Sequence, residues 1–172
     1  MTTYATPTKS TTVRFANFAA SLAERLAPSW VEEKAFALWG KPQRPAARWG
    51  AVSATARRFE LDVGDRALPA WEWNVGGPRG SALLVHGWSG NASQLGSFVA
   101  PLVSLGWHVV AIDLPAHGES AGDFCTLPLM AQVVASVGVR LRPSVVIAHS
   151  LGATATAYAL TKGLEVQRVA LL

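Results

Sequence analysis

The stretch Val145-Val146-Ile147-Ala148-His149-Ser150-Leu151-Gly152-Ala153-Thr154 puts one hydroxyl where a chemical step could use it. β-Branched residues run into Ser150 and small residues leave it, a pattern that predicts a buried strand, a sharp turn and a helix. Such a turn lifts the Ser150 Oγ out of the sheet and points a helix N-terminus at it. Strand and helix backbones then nearly touch, which demands small residues two before and two after the serine, here Ala148 and Gly152. Ser150 is the candidate nucleophile. The competing reading is an ordinary strand-to-helix turn in which Ser150 caps the helix.

A serine attacking an acyl carbon needs preorganised N–H groups for the oxyanion that develops. One is available on Leu151, at the helix N-terminus. The other must come from a loop after an earlier strand, where His86-Gly87-Trp88 follows the apolar run Ala82–Val85. Trp88 and Leu151 are therefore the candidate oxyanion-hole donors, supported by His86, Gly87 and Gly152. His86 and His149 are not assigned as the base: His149 adjoins the serine in a sharp turn, and His86 suits structural hydrogen bonds under the loop. A third loop, Asp113-Leu114-Pro115-Ala116-His117-Gly118-Glu119-Ser120, follows Val109–Ile112 and fits a loop-shaping role.

The elements that must position these residues can be read from periodicity. Alternation over Arg57–Val63 and Leu68–Val75 around Gly64-Asp65 predicts an antiparallel hairpin. Continuous apolar strands at 81–85, 109–112, 145–148 and 169–172 alternate with helices near 94–104, 127–137 and 153–162. That rhythm predicts a parallel sheet covered on both faces. The fold class is α/β, a mainly parallel doubly wound sheet with an N-terminal antiparallel hairpin. Residues 1–45 form a tail and helical extension, with helices expected over Val13–Leu26 and Glu32–Trp39, and the domain proper occupies 46–172. Pro42 and Pro45, before and within Gln43–Ala47, mark that segment as a linker, and the two helices are expected to dock on the domain.

Composition narrows the classes. One cysteine, Cys125, excludes a disulfide framework, and four histidines without HxH or HxxxH spacing argue against a zinc site. The turn after Val85 is not G-x-G-x-x-G, so a dinucleotide cradle is not expected. Nine Lys/Arg against four Asp/Glu lie in residues 1–60, but they are scattered along a solvated face, and no nucleic-acid partner is expected. Neither a secretory leader nor a stretch of about 20 apolar residues is found, so a cytoplasmic protein without membrane contact is expected.

Taken together, the elbow at Ala148–Gly152, the oxyanion loop at Leu83–Trp88 and the Asp113–Ser120 loop resemble the α/β-hydrolase family over roughly residues 57–172. Ala116 and Ala148 stand where that family often has Gly. The resemblance implies a serine hydrolase acting on a carboxylic ester or related small-molecule acyl substrate through an acyl-enzyme, without metal or organic cofactor. The serine at 150 argues against the epoxide-hydrolase and dehalogenase branches, which use Asp there. It also implies the chain order serine, acid, histidine. After Ser150 the chain holds one acid, Glu165, and no histidine. The triad acid and His are therefore expected beyond Leu172, the chain being the N-terminal part of a longer protein cut inside a strand. The alternative is a catalytically incompetent fragment or non-catalytic binding module of the same fold.

Overall fold

The computed structural model describes residues 28–172. The chain divides into two compact units, Met1–Gly40 and Lys41–Leu172. The helix expected over Val13–Leu26 lies outside the described residues. The first unit contributes helix α1 (Pro28–Trp39), which starts a turn before Glu32 because proline is preorganised for a first helical turn.

The second unit runs β1 (Arg57–Val63), β2 (Arg66–Trp73), β3 (Ser81–Val85), α2 (Val99–Ser104), β4 (His108–Ile112), α3 (Leu127–Leu141), β5 (Val145–Ala148), α4 (Leu151–Thr161) and β6 (Arg168–Leu171). The six strands form one sheet in the order β1-β2-β4-β3-β5-β6. β1, β2 and β4 pair antiparallel, while β4, β3, β5 and β6 run parallel. This is the α/β sheet with an N-terminal hairpin that the sequence pattern predicts. In the register of the parallel strands, Val85 lies opposite both Ile112 and Ala148. The three strands therefore end level, and His86, Asp113 and His149 leave the same edge.

Side-chain alternation along each strand builds two cores. Leu83, Val85, Val110, Ile112, Val146 and Ala148 face α3 and α4, which contribute Met130, Val134, Val137, Ala155 and Ala159. Leu84, Val109, Ala111 and Ile147 face the other layer, where Leu95 and Val99 meet Trp71 and Trp73.

Three local expectations change. The helix expected near 94–104 is a 3-10 turn over Ala92–Phe98 followed by the short α2, with Leu95 out of helical conformation. Asn91 causes this, because its side-chain oxygen accepts the Ser93 N–H and starts the turn early. The hairpin forms as expected, but the alternation along its second strand is not matched by alternating exposure, Leu68–Trp73 being buried throughout. With β1 and β4 on either side and cores above and below, even Glu72 is enclosed, paired with Arg57 and, at 2.9 Å, with His108 Nε2. Finally, residues Gly50–Thr55 form an unanticipated 3-10 turn whose Val52 carbonyl accepts the Trp73 Nε1–H at 2.9 Å.

Leu83 lies in the central strand with no exposed surface. Leu83→Ala is expected to cost about 2–5 kcal/mol, the range for emptying a fully packed site, and urea unfolding checks it.

Candidate active site

A strand, a sharp turn and a helix form around Ser150, as the small residues require. Ser150 has φ 53° and ψ −124°, outside the helical and extended regions, and α4 begins at the next residue. It occupies the cap position of α4, but its side chain makes no capping hydrogen bond, and the residue is exposed. Its backbone N–H donates to the Leu172 carbonyl at 2.8 Å, tying the turn to the strand beside it. A conformation of this kind costs of order 1–3 kcal/mol and persists only where surrounding packing over-determines it.

Gly152 supplies that packing. A β-carbon there would lie 2.1 Å from the His86 carbonyl oxygen, so only glycine lets α4 descend onto the end of β3. Ala148, on the other side of the serine, is fully buried in the main core and its methyl is accommodated. The same descent joins the two motifs. A β-carbon on Gly87 would stand 3.0 Å from the Ser150 Cβ and 3.1 Å from the His149 carbonyl. Residues more than sixty positions apart in sequence are thus in contact.

The loop after β3 is fixed from several sides. The Gly87 N–H donates to Gln94 Oε1 at 2.9 Å and is not available to a ligand. Gln94 is a contributor that sequence reasoning missed, since nothing in a polar side chain seven residues downstream marks it as a loop anchor. The N–H groups of Gly152, Ala153 and Thr154 turn onto the carbonyls of His149 and Ser150. Leu151, at the first position of α4, has no such carbonyl to reach, as helix geometry requires. Trp88 is half-buried, its ring edge-on to His117 with centroids 5.1 Å apart.

The buried polar groups beneath these loops hold structure rather than touch the serine. The Leu114 N–H donates to His86 Nε2 at 3.0 Å, so Nδ1 carries the proton and donates to the Gly87 carbonyl at 2.7 Å. Burial pushes the His86 pKa down to about 3, keeping the ring neutral. His117 donates from Nδ1 to the Pro115 carbonyl at 2.9 Å, and burial lowers its pKa as well. The Asp113 carboxylate accepts the Ala92 N–H at 2.6 Å and the Glu119 N–H at 2.7 Å. Burial nonetheless raises its pKa to about 6, against the pull of those two donors. Ala116 keeps a left-handed φ of 64° although it carries a methyl, so position 116 retains a glycine-type conformation without glycine. Among the described residues, no histidine ring or carboxylate is hydrogen-bonded to Ser150 Oγ, and no group of three His, Cys, Asp or Glu side chains could hold a metal. None of the described helices is long and apolar enough to cross a membrane.

A family model described as the alpha/beta hydrolase family matches residues 82–172, just over half of the chain. A serine hydrolase-like protein of Danio rerio is 30% identical over 106 residues, covering 58% of this chain and 31% of its own length. Among solved structures, an epoxide hydrolase from Vigna radiata superposes with a TM-score of 0.60 at 18% identity, over 69% of this chain and 40% of that one. An esterase from Pyrococcus furiosus gives 0.55 at 19% identity, over 73% and 55% respectively. At such identities the structural likeness speaks for the fold alone. The chain spans about a third of the length of its curated relative and roughly half or less of these structures.

Two measurements check this geometry. Gly152→Ala is expected to lose about 1–3 kcal/mol in urea unfolding, the usual cost of forcing a methylene-sized group into a filled space. The second concerns pH. Between about 6.5 and 3 the unfolded chain binds a proton that folded His86 refuses, so stability falls as pH drops through that window. Asp113 acts oppositely, being protonated in the folded chain up to about 6 but in the unfolded chain only near 3.8, so its ionisation lowers stability as pH rises between them. Between about pH 6 and 4 the two effects oppose each other in the wild type, so His86→Gln, which removes the first, is expected to raise the urea midpoint relative to wild type progressively as pH falls through that window.

Proposed function

The chain belongs to the alpha/beta hydrolase family, and from that premise we propose that these 172 residues are the nucleophile-bearing part of a serine hydrolase site, catalytically incompetent by themselves. The observation that carries this reading is the isolated elbow. Ser150 occupies the strained turn with Gly87 against its β-carbon, yet no described acid or histidine bonds to its hydroxyl. A serine without a base is a weak nucleophile, because its proton has nowhere to go as the C–O bond forms. By itself the chain is then a non-catalytic module of the fold.

A second reading extends the first. Within a longer polypeptide, a histidine from outside these residues would take the Ser150 proton, oriented by an acid, and Ser150 would form an acyl-enzyme with a carboxylic ester or related acyl compound. The N–H groups of Trp88 and Leu151 would receive the oxyanion, with Gly87, His86 and Gly152 holding them in place. Support comes from the glycine contacts that bring the two loops together, and from the Danio rerio relative, described as serine hydrolase-like. That relative is about three times as long as the stretch matched, which leaves room for the missing partners.

The two readings give distinct outcomes. The 172-residue chain is expected to hydrolyse p-nitrophenyl acetate no faster than its Ser150→Ala variant. In a longer polypeptide that supplies the base, a fluorophosphonate probe should label Ser150, and Ser150→Ala should lower turnover by about 10⁴–10⁶. Turnover by the short chain that depends on Ser150 would refute the first reading; labelling of the long one that survives Ser150→Ala would refute the second.

A further inference from the structure

The segment Gln43–Arg48 has the composition of a linker and forms no regular element, but it is tied down along its whole length. Its Gln43 N–H donates to Ser89 Oγ at 2.9 Å, its Pro45 carbonyl accepts Asn91 Nδ2–H at 2.9 Å, and its Arg48 N–H donates to Ser93 Oγ at 2.7 Å. Three contacts thus step two residues at a time along the loop that carries Gly87 and Trp88. Asn91 and Ser93 are buried, so their bonds to the segment replace water that cannot reach them. On its other side the segment sends the Arg44 guanidinium to the carbonyls of Gly118 and Gly122, in the loop after β4.

The two sets of contacts flank one residue. Ser89 follows Trp88, and Gly118 follows His117, whose ring meets the Trp88 ring edge-on. Ser89 itself holds a left-handed φ of 53°, a conformation that a non-glycine residue keeps only under restraint. The Gln43 N–H on its hydroxyl is such a restraint.

We infer that Gln43–Arg48 is a strap coupling the loops after β3 and β4, with Arg44 and Asn91 as positioning residues that hold Trp88 through them. A segment outside the hydrolase sheet then adds to the stiffness of the loop assigned an oxyanion donor, beside the braces supplied by Gln94, His86 and Asp113. The inference rests on the proposed role of Trp88 only for its catalytic consequence, because the coupling is read without turnover.

The experiment is amide exchange by NMR on the full 172-residue chain labelled with 5-fluorotryptophan, the Trp88 resonance being assigned with Trp88→Phe. Arg44 is exposed, and its guanidinium donates to carbonyls of the loop after β4. Arg44→Ala is nevertheless expected to speed exchange at Gly90 and Ala92, in the other loop, by about tenfold, comparable to losing one hydrogen bond. The Trp88 fluorine line should shift or broaden while that of Trp107 holds. Asn91→Asp keeps the oxygen that accepts the Ser93 N–H but loses the donor to Pro45, and should give the same pattern. Unchanged exchange at Gly90 and Ala92 in both variants would overturn the coupling. So would equal acceleration at Val110 in β4, which would mark a general loss of stability.

Discussion

One close approach governs the carboxyl edge of this sheet: the first turn of α4 lies on the end of β3 so tightly that residue 152 has no room for a β-carbon. It imposes the sharp turn at Ser150, the exposure of that residue and the meeting of the turn with Gly87. The cost of the Ser150 backbone conformation, of order 1–3 kcal/mol, is offset by burial of the strand before it and of Ala153 and Ala155 after it. A larger residue at 152 would lift the helix and remove the reason for the turn.

Beneath the turn, the buried side chains of His86 and Asp113 are satisfied by backbone rather than by one another. His86 accepts from Leu114 and donates to Gly87, so a neutral ring joins the loops after β3 and β4. Asp113 does the same with two backbone N–H groups, one from each loop. Burial drives the two side chains toward neutrality from opposite directions, down for the imidazole and up for the carboxyl. Groups committed in this way serve as fixed braces. They are poor candidates for moving a proton to or from Ser150.

Aromatic packing attaches the segment before β1 to the same platform. Trp49 sits 5.2 Å from Trp71 and 5.3 Å from Trp73 between ring centroids, both on β2. With the 3-10 turn behind it accepting the Trp73 indole N–H, the chain is directed back across the edge where the loops emerge. A stretch of prolines and basic residues therefore ends up lying along the loop that carries Trp88.

Much of this was legible in the residues. Continuous apolar strands separated by helical runs determine a parallel sheet, because such strands must be covered on both faces. The frame Ala148-His149-Ser150-Leu151-Gly152 determines a strand, a sharp turn and a helix from local sterics alone. Tertiary structure decided which loops meet, since that depends on strand order and on Val85 standing level with Ile112 and Ala148. It also decided the burial of Glu72, the anchoring by Gln94 and the path of Gln43–Arg48. None of these has a local signature. Periodicity records which face of an element is apolar, whereas a hydrogen bond between residues 45 or more positions apart exists only once the sheet has brought both to one edge.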